Sequence, residues 1–183
     1  MRTNQLERTR AAIIAAAREL ADSGAEVTMS AVAAAAKVSE ATAYRHFPDL
    51  VSLLRAAVTT DDQLATLRAL ATGDDPVERV GQAAEVLARA VLRRQGAVRV
   101  IVAASIAKPA IARERPVQRF ALIEHALEPW NQPHKAQLVR DLAVVISAES
   151  LFTLLDLCGL EPEEAVASLV STARRIAEAA VTP

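Results

Sequence analysis

Residues 27–54 read VTMSAVAAAAKVSEATAYRHFPDLVSLL, and this stretch decides the fold. Thr28 suits the N-cap of a short helix over about Met29–Ala36, and Ser39 suits the cap of another ending near Phe47. Helices of about eight residues do not stand alone in water, so both must pack on each other and on a preceding helix. Val32, Ala36 and Val38 supply apolar contacts between them, and Ala33, Ala34 and Ala35 are small enough for close approach. Two short helices joined by a tight turn have helix-turn-helix geometry, in which the second helix enters the major groove with its N-terminal residues over base edges.

The side chains of the second helix suit that task. Ser39 caps it at the positive end of the helix dipole, where a phosphate is favoured. Glu40, Ala41 and Thr42 stand where bases are met: Thr42 can hydrogen-bond or touch a thymine methyl, and Glu40 can accept from cytosine. Tyr44, Arg45 and His46 lie at the other end, with hydroxyl, guanidinium and imidazole groups for phosphates. Thr28, Ser30 and Lys37 complete the candidate DNA contacts. Arg2, Arg8 and Arg10 offer an arm toward DNA or a solvated terminus.

Outward from this core, a first helix is expected over about Gln5–Ala21, with Leu6, Ile13, Ala17 and Leu20 on one face and Gly24 beyond its end. Asp49 suits the cap of a longer helix running through Leu70. Pro76 opens a helix to about Arg94 with Val77, Val80, Ala84, Leu87 and Val91 on one face. Further helices are expected over about Ala97–Ala107, Pro116–Glu128, His134–Leu157 and Pro162–Val181. The last two are apolar over more than one stripe, a pattern for burial on several sides, including against a second subunit.

Composition agrees. Five glycines and three percent aromatics in 183 residues, with long Ala, Leu, Glu and Arg stretches, favour helix and an aliphatic core. The net charge is −1, and residues 1–55 hold seven Lys/Arg against six Asp/Glu, so bulk charge does not mark a nucleic-acid binder and local pattern must. One cysteine, Cys158, excludes an intrachain disulfide and a cysteine-rich zinc site. The charged start and the absence of a long uncharged apolar run argue against a signal peptide and a membrane span, so a cytoplasmic location is expected. No nucleophile-elbow, phosphate-loop or dinucleotide glycine pattern occurs, and His46, His125 and His134 lack metal-ligand spacing, so neither enzyme activity, cofactor nor metal is expected.

The segment resembles the DNA-binding domain of the tetracycline-repressor (TetR) family. The likeness rests on Thr28 before an apolar residue, Val32-Ala33, and V-S-x-x-T-x-Y-x-x-F from Val38 to Phe47, and its clear motif covers about residues 6–55. It departs where Lys37 takes the usual glycine of the turn, Ala43 takes a larger apolar residue, and Leu50 takes a customary lysine. A β-carbon at position 37 in a left-handed conformation costs on the order of 1 kcal/mol.

The resemblance implies an all-α protein of about nine helices: a three-helix DNA-binding domain over 1–49 and a helical ligand-binding and dimerisation domain over 50–183. Middle helices would enclose an apolar pocket, and the last two would pair in a four-helix dimer interface. Phe120, Ile123, Leu127, Trp130, Glu149 and Phe152 are the candidate pocket wall, although a stripe such as the first four form is more often core than pocket wall. Leu142, Val145, Leu155, Leu169, Ala173 and Ile176 are the candidate interface. Glu149 interrupts an apolar face, and its reading stays open among an arginine partner, the pocket and the interface. The partners implied are a double-stranded DNA operator, a small-molecule effector and a second copy of the chain. The competing reading is a helical small-molecule- or partner-binding protein whose DNA contacts have decayed.

Overall fold

The computed structural model describes residues 2–58, 63–70, 73–108 and 118–181, with side chains from Gln5 onward. Every regular element among them is helical. In chain order these are α1 (Arg2–Asp22), α2 (Met29–Ala35), α3 (Glu40–His46), α4 (Leu50–Val58), α5 (Gln63–Leu70) and α6 (Pro76–Arg93). There follow α7 (Gln95–Ala107), α8 (Gln118–Ala126), α9 (Lys135–Val145), α10 (Ala148–Phe152) with a π-turn over Thr153–Leu157, and α11 (Pro162–Val181). They form two compact units, Met1–Asp61 with Arg93–Arg115, and Asp62–Leu92 with Pro116–Pro183. The centre of the helix expected from Asp49 to Leu70, and the Pro109 and Pro116 breaks, fall outside the described residues.

In the first unit α1 packs on α2, α4 and α7, and α2 packs on α3. Ile13, Ala17, Val32, Ala43, Phe47 and Leu53 meet in one buried cluster. Ile13 and Ala17 come from the face expected of α1, whereas Leu6, on the same sequence stripe, is exposed. Truncating a fully buried side chain such as Leu53 to Ala costs about 2–5 kcal/mol, as lost transfer energy and a cavity add. A second cluster of Ala21, Leu54, Ala97 and Ile101 joins α1, α4 and α7, and its alanines allow close helix approach. Leu50 packs against both clusters, so the residue in place of the family's customary lysine serves the core.

In the second unit α8 packs on α5 and α9, while α9 and α10 pack on α11. α6 buries Val80, Ala83, Ala84, Leu87 and Val91. Arg79 is the buried cation here: Nε donates to Ala126 O (3.0 Å) and NH2 to His125 O (2.6 Å), while Lys135 Nζ donates to Leu127 O (2.6 Å). Two cations thus satisfy the last carbonyls around the C-terminus of α8, where the helix leaves acceptors without intrahelical partners.

The helix expected over His134–Leu157 is not continuous. It stops at Ile146, and buried Ser147 turns extended (φ −148°, ψ 155°). The Ser147 hydroxyl accepts from the Ser150 N–H (3.1 Å) as the N-cap of α10, and the Ser150 hydroxyl donates to Val144 O (2.7 Å). A Ser-x-x-Ser pair inside an apolar run therefore restarts the helix, because the hydroxyls replace the backbone bonds lost at the break. Cys158 follows the π-turn and is exposed.

Candidate nucleic-acid interface

Thr28 caps α2, its hydroxyl oxygen accepting from the Ala31 N–H (3.1 Å). At the other end of α2, Lys37 has φ +57° and is the non-glycine residue in the left-handed region among those described. Its N–H donates to Ala34 O (3.1 Å) and the Val38 N–H to Ala33 O (2.9 Å), the paired bonds that close a helix on a left-handed residue. The family's glycine is replaced, yet the turn keeps the glycine conformation, since the two bonds and the packing of Ala33 and Val38 hold it.

Ser39 caps α3: its hydroxyl oxygen accepts from the Thr42 N–H (3.2 Å) and lies 2.9 Å from the Thr42 hydroxyl. Glu40 sits in the first turn and Arg45 and His46 in the last, so the charges of α3 oppose its dipole at both ends. Ala43 and Phe47 face the core, and Arg10 lies over the Phe47 ring, 4.6 Å from its centroid. Ala43 is fully buried, so a smaller residue than the family's still seals this face.

The opposite face is open. Ser39, Glu40, Ala41, Tyr44 and Arg45 are exposed, as are Ser30 and Lys37; Thr28, Thr42 and His46 are half-buried. Tyr44 keeps 49% of its surface accessible, large for an aromatic without a partner ring. His46 Nε2 is buried without a hydrogen-bond partner among the described residues. Asp49 caps α4 through the Ser52 N–H (2.7 Å) and so fixes the exit from α3. The ten residues read as DNA contacts thus cluster on α3, its turn and the start of α2. Two arginine contacts escaped the sequence reading, Arg10 on Phe47 and Arg94 on Asp22 (Nε–Oδ1 2.5 Å). For the second the signal was an acidic residue at the C-terminus of α1, where the helix dipole favours a cation.

In the second unit Ile123 and Leu127 are fully buried, Trp130 and Phe152 nearly so, and Phe120 is exposed. Trp130 meets the His134 ring edge-on (4.9 Å, 77°). Glu149 accepts from Arg119 NH2 (3.4 Å), the arginine partner among its three readings. An open groove of about 730 Å³ is lined by other residues, among them Leu64, Arg68, Glu124, His125, Lys135 and Val139. Beside it the carboxyl of Glu128 is held below the usual carboxylate range, chiefly by its hydrogen bond with His125 (Nδ1–Oε2 2.9 Å) and further by the charges of Arg79 and Arg68. Of the interface candidates, Leu142, Leu169 and Ala173 are buried in the protomer, and Val145, Leu155 and Ile176 are half-buried. Val144 and Leu157 stand out at 72% and 82% exposed.

A polar recognition helix seated on an α1–α2 platform through a capped turn defines a helix-turn-helix DNA-binding head. Residues 13–57 match the profile of bacterial regulatory proteins, tetR family. Through this segment of 45 residues the chain is similar to the DNA-binding part of that family. The crystal structure of a TetR transcriptional regulator from Rhodococcus sp. RHA1 shares the fold, with a TM-score of 0.64 and 18% identity, over 93% of this chain and 96% of that chain. No curated protein matches the chain in sequence. Among the described residues no helix is long and apolar enough to cross a membrane.

Proposed function

We propose that the chain is a transcriptional repressor that binds a palindromic operator as a homodimer and leaves it when a small apolar or amphipathic ligand binds. In this reading residues 1–49 are the DNA-binding domain and residues 50–183 bind the ligand and dimerise. One observation carries it: the solvent face of α3 presents Glu40, Ala41, Tyr44 and Arg45 from a helix whose other face is sealed into the core. Such a helix has its orientation set by packing, leaving its exposed side chains free for bases and phosphates.

Two recognition helices in a dimer would meet successive major grooves roughly 34 Å apart, which calls for an operator of matching two-fold symmetry. Half-buried Val145, Leu155 and Ile176, with exposed Val144 and Leu157, supply the apolar face for the second copy, backed by Leu142, Leu169 and Ala173. The candidate pocket remains the region of Phe120, Ile123, Leu127, Trp130, Glu149 and Phe152. A ligand there acts by its difference in affinity for the DNA-bound and free conformations, and that difference is the whole coupling.

The test is titration of the protein into labelled DNA from its own upstream region and into random duplex, at several salt concentrations. Tight, sequence-dependent binding with an even number of protomers per site is expected. Binding that is equal on both duplexes and lost at moderate salt would reject the operator reading and leave a helical ligand- or partner-binding protein.

A further inference from the structure

The Asp22–Arg94 pair is unexplained by stability alone. Arg94 is 6% exposed, and its guanidinium grips Asp22 by two parallel bonds, Nε to Oδ1 (2.5 Å) and NH2 to Oδ2 (3.3 Å). A bidentate grip fixes orientation as well as distance. With the Asp22 side chain 42% exposed, water screens the attraction, and a pair of this kind contributes little net stability. What the pair does supply is a fixed relation between the last residue of α1 and the residue that opens α7. Ala21 and Ala97, near neighbours of the two residues in the chain, pack with Leu54 and Ile101 in one apolar cluster, so α1 and α7 are joined here by packing as well as by charge.

α1 carries this relation to the recognition helix. Its 21 residues form one unbroken rod, about 30 Å long, with Ile13 and Ala17 locked in the core. Toward the other end of the rod Arg10 lies over Phe47, the residue that ends α3. The chain enters this unit from the other one between Leu92 and Arg93, immediately before Arg94. We infer that Arg94, acting through Asp22, is a positioning residue for operator recognition: it sets α1, and thereby α3, from the point where the chain arrives from the second unit. The inference rests on the DNA-binding reading.

The test uses the full chain and duplexes that the wild-type protein enriches from a random pool. Asp22→Leu with Arg94→Met removes the pair without leaving a buried unpaired charge, so the double variant is expected to fold. It should lose about tenfold in affinity for the enriched duplex, the scale of a typical coupling between sites. Affinity for random duplex and the salt slope should stay unchanged, since the phosphate contacts are intact. Asp22→Glu, which keeps a carboxylate for Arg94, should retain most of the affinity. A double variant that melts earlier but, when folded, binds the enriched duplex as tightly as wild type overturns the inference, as does an equal loss on both duplexes. If the wild-type protein enriches no duplex, the DNA-binding reading fails, and this inference with it.

Discussion

Lys37 shows how far a single residue can depart from its local preference. A β-carbon at φ +57° costs on the order of 1 kcal/mol, and the surrounding turn holds it there. Lys37→Gly should therefore stabilise the protein by about 1 kcal/mol and raise Tm by about 2–4 °C; an unchanged or lower Tm by circular dichroism would show that the lysine has an offsetting contact. On α3, Thr42→Ala should weaken operator binding more than random-duplex binding, whereas Tyr44→Phe should weaken both alike. Equal losses for Thr42→Ala would remove its base-reading role. Glu128 has its folded pKa lowered by His125, so its contribution is present above the ordinary carboxylate range and fades as pH falls through the folded value. The Tm gap between wild type and Glu128→Gln should accordingly shrink below about pH 4, and stay small at neutral pH because the carboxylate is solvent-screened.

Among the elements, α6 and α11 meet closely where Gly81 faces Arg174. A Cβ at Gly81 would collide with Arg174 Nε, while Arg174 NH2 donates to Glu78 (2.8 Å). Gly81→Ala carries a helix-propensity gain of about 1 kcal/mol. That gain should appear in full in an Arg174→Ala background and be reduced in the wild type, where the guanidinium must move. Urea unfolding of the four proteins of this cycle measures the difference, and equal gains in both backgrounds would contradict the packing. The break between α9 and α10 is hidden from a reading of the sequence because no Gly or Pro stands between His134 and Leu157 to punctuate the helical pattern. Ser147 and Ser150 act through hydroxyl geometry, which periodicity does not register. The caps at Thr28, Ser39 and Asp49 were legible because each precedes a helix after a clear turn.

For the whole molecule, the proposed dimer makes the sharpest demand. A glutamate at Leu155 should yield monomers in sedimentation while leaving helicity unchanged, because Leu155 is half-buried in the protomer. A dimer that survives would move the interface elsewhere. The contrast between the two units explains why one site was readable and the other was not. A helix-turn-helix is local: caps, turn and recognition face lie within about twenty consecutive residues, so sequence spacing determines their geometry. The groove beside α8 draws on residues from 64 to 139, and none of the six residues read as pocket wall lines it.

By itself the sequence determined the all-α class, the helix-turn-helix and the caps of α2, α3 and α4, because each follows from short-range hydrogen bonding and 3.6-residue periodicity, while the left-handed turn at Lys37 was implied by the resemblance alone. Only the tertiary structure decided that Arg94 holds Asp22 72 residues away, that Arg79 closes the end of α8, that Glu149 meets Arg119, and that α9 stops at Ser147. The first three pairings depend on which helix faces arrive side by side. The fourth depends on which hydroxyls are left inside when they do, and neither is written in the order of the residues alone.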